Sequence, residues 1–501
     1  MVLAVSVAAC GSVAKQGTGG SGGSSSGGAD GGGLGGSGGA GGAGGADAAT
    51  DAACGDTQTD PNNCGACGNR CSASFFTCTA GHCGNAVAQL AGGEEQACVL
   101  LYSGAVYCWG ENNLGELGDG SVAGTNTCET NVACRPAPQP VSGLADVAQV
   151  SVAALHSCAV KKDGSVWCWG VNSNLELGHP SSSDMNCAAA GAATAIPCNP
   201  LPTRVGLPGG VLGAAVVTGR RYSCALTTTG DVYCWGDNTW GELGVPLTTT
   251  STSTPQRVGS SSGASSVFPA AVTALSSDHD DYPHVCALSG GSIWCWGANP
   301  GGQNGHDPAA DPACGATVCN FTPQPVKTAQ GSAFSGVHSF GIGRGYGCAL
   351  KTDGTVWCWG TDSAWGALGQ GSTSTNSPSP LQVTAPLPSG IAALYVGGGS
   401  VVFAVDASGA VWSWGRNNYG LLGNGTVTGA EPTPKASGFA SPTSMSVGQG
   451  VALALKADGS VWAWGDNSDA ELAHVPGTQG DQMPPSGGEC NPLPAAMQGL
   501  P

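Results

Sequence analysis

From about residue 85 to its end the chain repeats one pattern of apolar and polar positions: a small-apolar triplet, a polar turn, then a strand in which aromatics alternate with smaller residues. The stretch Cys158-Ala159-Val160-Lys161-Lys162-Asp163-Gly164-Ser165-Val166-Trp167-Cys168 carries all three parts. Alternate residues of a strand share a face, so Trp167 and Trp169 pack on one side while Cys168 points to the other. The strip recurs as Trp109-Gly110, Trp169-Gly170, Trp235-Gly236, Trp296-Gly297, Trp359-Gly360, Trp414-Gly415 and Trp464-Gly465, seven copies 50 to 66 residues apart. Self-similarity of this period marks an architecture of repeated supersecondary units.

Each copy is followed by a glycine motif, as in Gly110-Glu111-Asn112-Asn113-Leu114-Gly115-Glu116-Leu117-Gly118, and then by a proline-bearing strand such as Pro323-Gln324-Pro325-Val326. In order, period and copy number these residues resemble the regulator of chromosome condensation repeat family. The resemblance covers about 415 of the 501 residues. It implies an all-β fold, a seven-bladed β-propeller of four-stranded blades spanning residues 85–501. Members of that family act as exchange factors for a small GTPase, bind chromatin, sense ultraviolet light through tryptophans or, in a secreted bacterial case, inhibit β-lactamases.

Cysteine spacing adds a compartment to this picture. With Lys162-Asp163-Gly164 as a three-residue loop and Gly164 left-handed, Cys158 faces Cys168 at a separation suited to a disulfide. The same spacing pairs Cys98 with Cys108, Cys224 with Cys234 and Cys348 with Cys358. Cys286 and Cys295 are one residue closer, and their loop shrinks to the two-residue turn Gly290-Gly291, which restores the register. Copies six and seven replace both partners together, with Phe403 and Ser413 in one and Leu453 and Ala463 in the other, which independent buried thiols would not do. Three more pairs, Cys128 with Cys134, Cys187 with Cys198 and Cys314 with Cys319, would staple the connections. The 24 cysteines thus point to an oxidising compartment.

The N-terminal region reads differently. Residues 1–10 resemble the end of a bacterial lipoprotein signal, with Ser6-Val7-Ala8-Ala9 before Cys10 as the lipidation site, although no basic segment precedes them. A chance Ala-Ala-Cys is the alternative. Residues 11–53 are Gly, Ser and Ala, too poor in apolar side chains to fold, and form a linker with a reach of roughly 35 Å. Residues 54–84 hold Cys54, Cys64, Cys67, Cys71, Cys78 and Cys83, read as a disulfide-rich module of open connectivity; the Cys64-x2-Cys67 spacing would also suit zinc. Cys490 is left over, either a free thiol or a partner of that module. The localisation expected is the outer membrane or cell surface through the lipid anchor, or the extracellular space.

A formal charge of −18 repels phosphate backbones and argues against nucleic acid as a partner. No run of about 18 apolar residues is present to span a membrane. No catalytic motif stands in credible context, so the chain reads as a non-enzyme without cofactor, a monomer binding a protein or glycan. Trp240, Trp365 and Tyr419 occupy equivalent points of the glycine motif and are the candidate anchors; packing over the neighbouring blade is the competing reading. Asp278, Asp280 and Asp281, beside His279 and His284, could hold a divalent cation or form a solvated acidic loop. His156 and His338 read as packed strand-start residues. A nucleotide exchange factor is the alternative function, and a metal-assisted hydrolase a more distant one. Because the chain starts after one proline-bearing strand and ends with another, residues 488–501 are expected to complete the blade of Trp109 and close the ring.

Overall fold

A computed structural model describes residues 58, 59, 64, 78, 79, 81–83 and 85–500, apart from 129–131, 188–194, 260–266, 280–281, 316, 362–363, 385 and 484–487. Cys10, the linker, Asp280, Asp281 and most of the cysteine module lie outside these residues.

Seven antiparallel sheets follow one another along the chain. The first blade runs from its inner strand Val87–Gly92 through Gln96–Leu101 and Val106–Glu111 to its outer strand Ala133–Pro140. The seventh repeats this with Pro442–Val447, Val451–Lys456, Val461–Asp466 and Cys490–Ala496. Blades one, two and four gain a short fifth strand, Asn126–Thr127, Met185–Cys187 and Ala313–Cys314, each at the outer edge. These are the connections carrying the predicted staples, and the structure joins Cys128 to Cys134, Cys187 to Cys198 and Cys314 to Cys319.

The hairpins take the expected register. Gly164 is left-handed at φ 79°, Lys161 N–H donates to the Ser165 carbonyl, and Cys158 lies opposite Cys168. Cys98 lies opposite Cys108, Cys224 opposite Cys234 and Cys348 opposite Cys358 in the same way. In blade four Gly290 and Gly291 have φ 60° and 73°, the two-residue turn that places Cys286 opposite Cys295. Each of the five pairs is joined as a disulfide: Cys98 to Cys108, Cys158 to Cys168, Cys224 to Cys234, Cys286 to Cys295 and Cys348 to Cys358, with Cα atoms 4.1 Å apart in every case. Phe403 faces Ser413 and Leu453 faces Ala463 where blades six and seven lack them. Cross-linking a loop of this size removes about 2–3 kcal/mol of unfolded-state entropy. The double variant Cys158→Ala, Cys168→Ala is therefore expected to lose about that much in denaturant unfolding. A midpoint equal to wild type would mean that this hairpin is held by packing alone.

The tryptophan before the glycine of each strip explains why the blades form a ring. Trp109, Trp169, Trp235, Trp296, Trp359, Trp414 and Trp464 are completely buried, each between its own blade and the preceding one. Each indole N–H donates to a backbone carbonyl in the glycine motif of that preceding blade: Trp169 to Glu116, Trp235 to Glu176, Trp296 to Glu242, Trp359 to Gln303, Trp414 to Ala367 and Trp464 to Leu421. Trp109 completes the cycle at 2.7 Å on Glu471 of blade seven. A buried N–H needs such a partner, so the aromatic strip supplies both apolar area and the polar link.

Closure differs from the sequence expectation. The strand Cys490–Ala496 pairs with Val461–Asp466, setting Asp466 opposite Cys490 and Trp462 opposite Ala496, so it completes the seventh blade and not that of Trp109. The proline-bearing strand turns back onto the copy it follows. The ring therefore closes between whole blades, through Trp109, through Gly92 N–H on Ser446 Oγ and through Gln449 N–H on the Gly93 carbonyl. At this hub the approach is backbone to backbone: a Cβ on Gly448 would fall on the Gly93 carbonyl oxygen. Only glycine fits there.

Candidate functional site

The antiparallel winding puts the turn between first and second strands on the same face as the glycine motif and the long connections. Glu111 N–H, for example, donates to the Glu95 carbonyl. The tight hairpin turns lie on the opposite face. Candidate functional residues consequently gather on one side of the disk.

Among the described residues, six of the seven glycine motifs are held from within in the same way. Asn112, Asn172, Asn238, Asn299, Asn417 and Asn467 accept, through Oδ1, the backbone N–H five residues on. Their amide NH2 groups turn outward to the connection. In blades two, four and seven this end meets a histidine-aspartate pair: Asn172 with His179 and Asp184, Asn299 with His306 and Asp311, Asn467 with His474 and Asp481. His-Asp distances are 2.7 to 2.9 Å. Blade one uses Asn112 and Arg135 on Asp119 instead. Long connections are thus pinned at the base by these side chains and, in blades one, two and four, further out by a disulfide. Sequence reading missed the trios, whose signal is an asparagine with a histidine seven residues later and an aspartate beyond.

A second buried set sits in the same motif. Glu116, Glu176, Glu242 and Glu471 accept a backbone N–H two residues upstream, at 2.6 to 3.0 Å. Burial pushes the carboxyls of Glu116, Glu176 and Glu242 up to about 8, and that of Glu471 well above the usual carboxylate range. In blade four Gln303 makes the same contact through Oε1, so a neutral side chain serves this position. Beside the seam of blades seven and one, burial and a hydrogen bond donated by protonated Glu111 to Glu95 push Glu111 to about 11.

The three candidate aromatics do not form one cluster. Trp365 of blade five and Tyr419 of blade six flank the Arg416 guanidinium, whose carbon lies 5.2 Å and 5.5 Å from the two ring centroids. Trp240 packs instead against Tyr282, centroids 5.4 Å apart. All three are half-buried, so packing accounts for part of each. The first aromatic of the strip lies in the same seam but nearer the hairpin turns, where Lys161, Lys351 and Lys456 lie over Trp167, Trp357 and Trp462.

Asp278 and His279, the described start of the acidic segment, are drawn inward. Both Asp278 carboxylate oxygens bind His284, at 2.6 Å to Nδ1 and 3.0 Å to its backbone N–H, and both side chains are fully buried. Asp278 is thereby committed to holding the strand start, and no group of three or more His, Cys, Asp or Glu suited to a metal occurs among the described residues. His279 reaches across the hub, with Nε2 on the Thr218 carbonyl and its own carbonyl accepting from Gln449, and burial lowers it to about 3. His156 is likewise buried, lowered to about 3 and bonded to Ser223 of blade three. His338 departs from the expectation of packing, because its side chain is exposed at the second residue of its strand.

Cys490 has a free, buried thiol, pushed up to about 11 by burial. Its position explains the missing partner. Cys134 lies opposite Asn126 and pairs with Cys128 two residues on; Cys198 lies opposite Met185 and pairs with Cys187 two residues on. Cys490 lies opposite Gln482, and two residues on the sequence has Pro484. Blade seven keeps half of a fourth staple.

Seven whole four-stranded blades closed by tryptophan bonds define a seven-bladed β-propeller. The family model of the Regulator of chromosome condensation (RCC1) repeat matches residues 103–160, 229–274 and 408–455, and a second model of that repeat matches 87–116, 147–174 and 214–241. These segments are similar to the RCC1 repeat. It is 26% identical over 348 residues to the ultraviolet-B receptor UVR8 of Arabidopsis thaliana, covering 68% of each protein. It is 27% identical over 328 residues to the human E3 ubiquitin-protein ligase HERC2, covering 65% of this chain but only 6% of that one. Prp20p of Saccharomyces cerevisiae superposes with a TM-score of 0.61 at 18% identity, over 80% of this chain and 87% of that one. Human WBSCR16 gives 0.61 at 18%, over 79% and 94%.

Proposed function

We propose that the chain is a non-catalytic, protein-binding scaffold that works outside the reducing cytosol, at a cell surface or in secreted form, and that its binding face is the one bearing the glycine motifs. One observation carries this reading: the long connections of that face are stapled by disulfides and pinned by Asn-His-Asp trios. Loops fixed in advance lose less entropy when a partner docks. Scaffold behaviour has precedent in Prp20p, described for its binding to Gsp1p and histones. A glycan ligand fits less well, because Arg416 already covers ring faces of Trp365 and Tyr419 on which a sugar would stack. Anchoring through Cys10 belongs to the same proposal.

Exchange-factor activity is the second reading, favoured by the likeness to Prp20p alone. Ubiquitin ligation has less support, since the match to HERC2 leaves most of that protein uncovered. The immobilised full chain, challenged with envelope and secreted fractions, is expected to capture a protein partner. Removing two staples, by Cys128→Ala, Cys134→Ala, Cys187→Ala and Cys198→Ala, should weaken that capture about tenfold while the ring stays folded. Exclusive capture of a nucleotide-free GTPase, with accelerated nucleotide release, would replace this reading by the exchange factor.

A further inference from the structure

Resting on the scaffold reading, we propose that the seam between blades five and six is a carboxylate-binding site for an acidic peptide segment, with Arg416 as the recognising residue and Trp365 and Tyr419 as its walls. The position after the Trp-Gly pair is Glu111, Val171, Asp237, Ala298, Thr361, Arg416 and Asp466 around the ring, so blade six alone has a cation there. In blades one, three and seven that residue contacts the side chain two positions on: Glu111 with Asn113, Asp237 with Thr239, Asp466 with Ser468. Arg416 reproduces the contact with Nε donating to Asn418 Oδ1. This uses one of five guanidinium N–H groups. Among the described residues neither terminal nitrogen of Arg416 meets a hydrogen-bond acceptor or a carboxylate.

The surroundings make that deficit a property of a site and not of a solvated surface arginine. The side chain is half-buried, and partial burial lowers its affinity for a proton. Its guanidinium carbon lies over rings from two different blades, 5.2 Å from the Trp365 centroid and 5.5 Å from that of Tyr419, which holds the group in the seam. The two terminal nitrogens, left without an acceptor among the described residues, form a fork matched to two oxygens of one carboxylate. A slot between two aromatic rings suits a planar carboxylate better than a tetrahedral phosphate. With a guanidinium over both rings, selectivity comes from its terminal nitrogens, so an Asp or Glu side chain presented by an extended peptide fits and a stacked sugar does not.

Fluorescence anisotropy of a labelled hexaglutamate peptide on the full chain tests this, with hexaglutamine and hexagalacturonate as comparators. Hexaglutamate is expected to bind at least tenfold tighter than hexaglutamine. Arg416→Gln should abolish the difference, and Arg416→Lys should remove most of it, because an ammonium keeps the charge but not the fork. Melting temperature monitors the fold, and if Arg416→Gln melts early the lysine variant and Trp365→Ala decide. Equal binding of the two peptides overturns the proposal, as does glutamate-selective binding that ignores both arginine substitutions. Tighter binding of hexagalacturonate overturns the choice of peptide. A protein partner that binds Arg416→Gln as tightly as wild type leaves the scaffold reading intact and removes this one. Arg416-dependent hexaglutamate binding without any protein partner does the reverse.

Discussion

Replacing Glu116, Glu176 and Glu242 by glutamine is expected to raise the melting temperature strongly at pH 8 and to change it little at pH 5. All three carboxyls are buried, and burial holds them protonated up to about pH 8 in the folded ring. In the unfolded chain they ionise near the ordinary glutamate value of 4.5. A carboxyl whose folded value is the higher one contributes its full stability below the unfolded value. Above it the folded state holds protons that the unfolded state has released, so stability falls as pH rises towards 8 and levels off beyond. The slope is about 1.4 kcal/mol per pH unit for each group, which makes a loss of roughly 2–4 kcal/mol per glutamate by pH 8 a reasonable expectation. Glutamine has no such cost, and Gln303 already occupies the equivalent place in blade four. The three residues sit in three different seams, so their effects should add. Thermal unfolding of wild type and triple variant at pH 5, 6, 7 and 8 reads the outcome. A wild-type melting temperature flat across that range would show that these carboxyls ionise freely in the fold.

Trp109→Ala is expected to cost about 3–5 kcal/mol, and Trp235→Ala the same, because closure uses the bond found at every other seam. Trp109 fills the interface of blades seven and one with Val87, Leu101, Val451 and Leu453, and its N–H satisfies the Glu471 carbonyl. Trp109→Phe keeps most of the apolar area and should lose only about 1–2 kcal/mol for the orphaned carbonyl. Truncation after Glu489 removes the outer strand of blade seven, together with Met497 and Leu500 that pack on the edge of the seam cluster, but none of the hydrogen bonds that close the ring. It should destabilise that blade while the ring keeps its dimensions in small-angle scattering. An expanded ring after truncation would return closure to the C-terminal strand.

That contrast shows what the sequence could and could not disclose. Copy number and hairpin register were legible because a spacing of ten with a three-residue loop, or nine with a two-residue loop, admits one pairing of opposed cysteines. The pairing of the last strand was not legible. A proline-bearing segment downstream of a glycine motif can turn back on its own copy or run on to the next, and only the register of Asp466 with Cys490 decides between them. Trp240, Trp365 and Tyr419 were recognisable as rim residues from their shared motif position, but which of them meet depends on Arg416 and Tyr282, at different points of their repeats. The Asn-His-Asp trios escaped notice because their aspartate follows at a variable distance, 12 residues after Asn172 and 14 after Asn467.

The glycines of the hub bear on how such a molecule can change. With Gly448 pressed on Gly93, and Gly399 on the backbone of Gln449, these points of the hub tolerate no added atom. Novelty enters more readily at the circumference, where connections differ in length from blade to blade. A lineage built on this wheel would acquire new ligands by rewriting its perimeter while its axle stayed fixed.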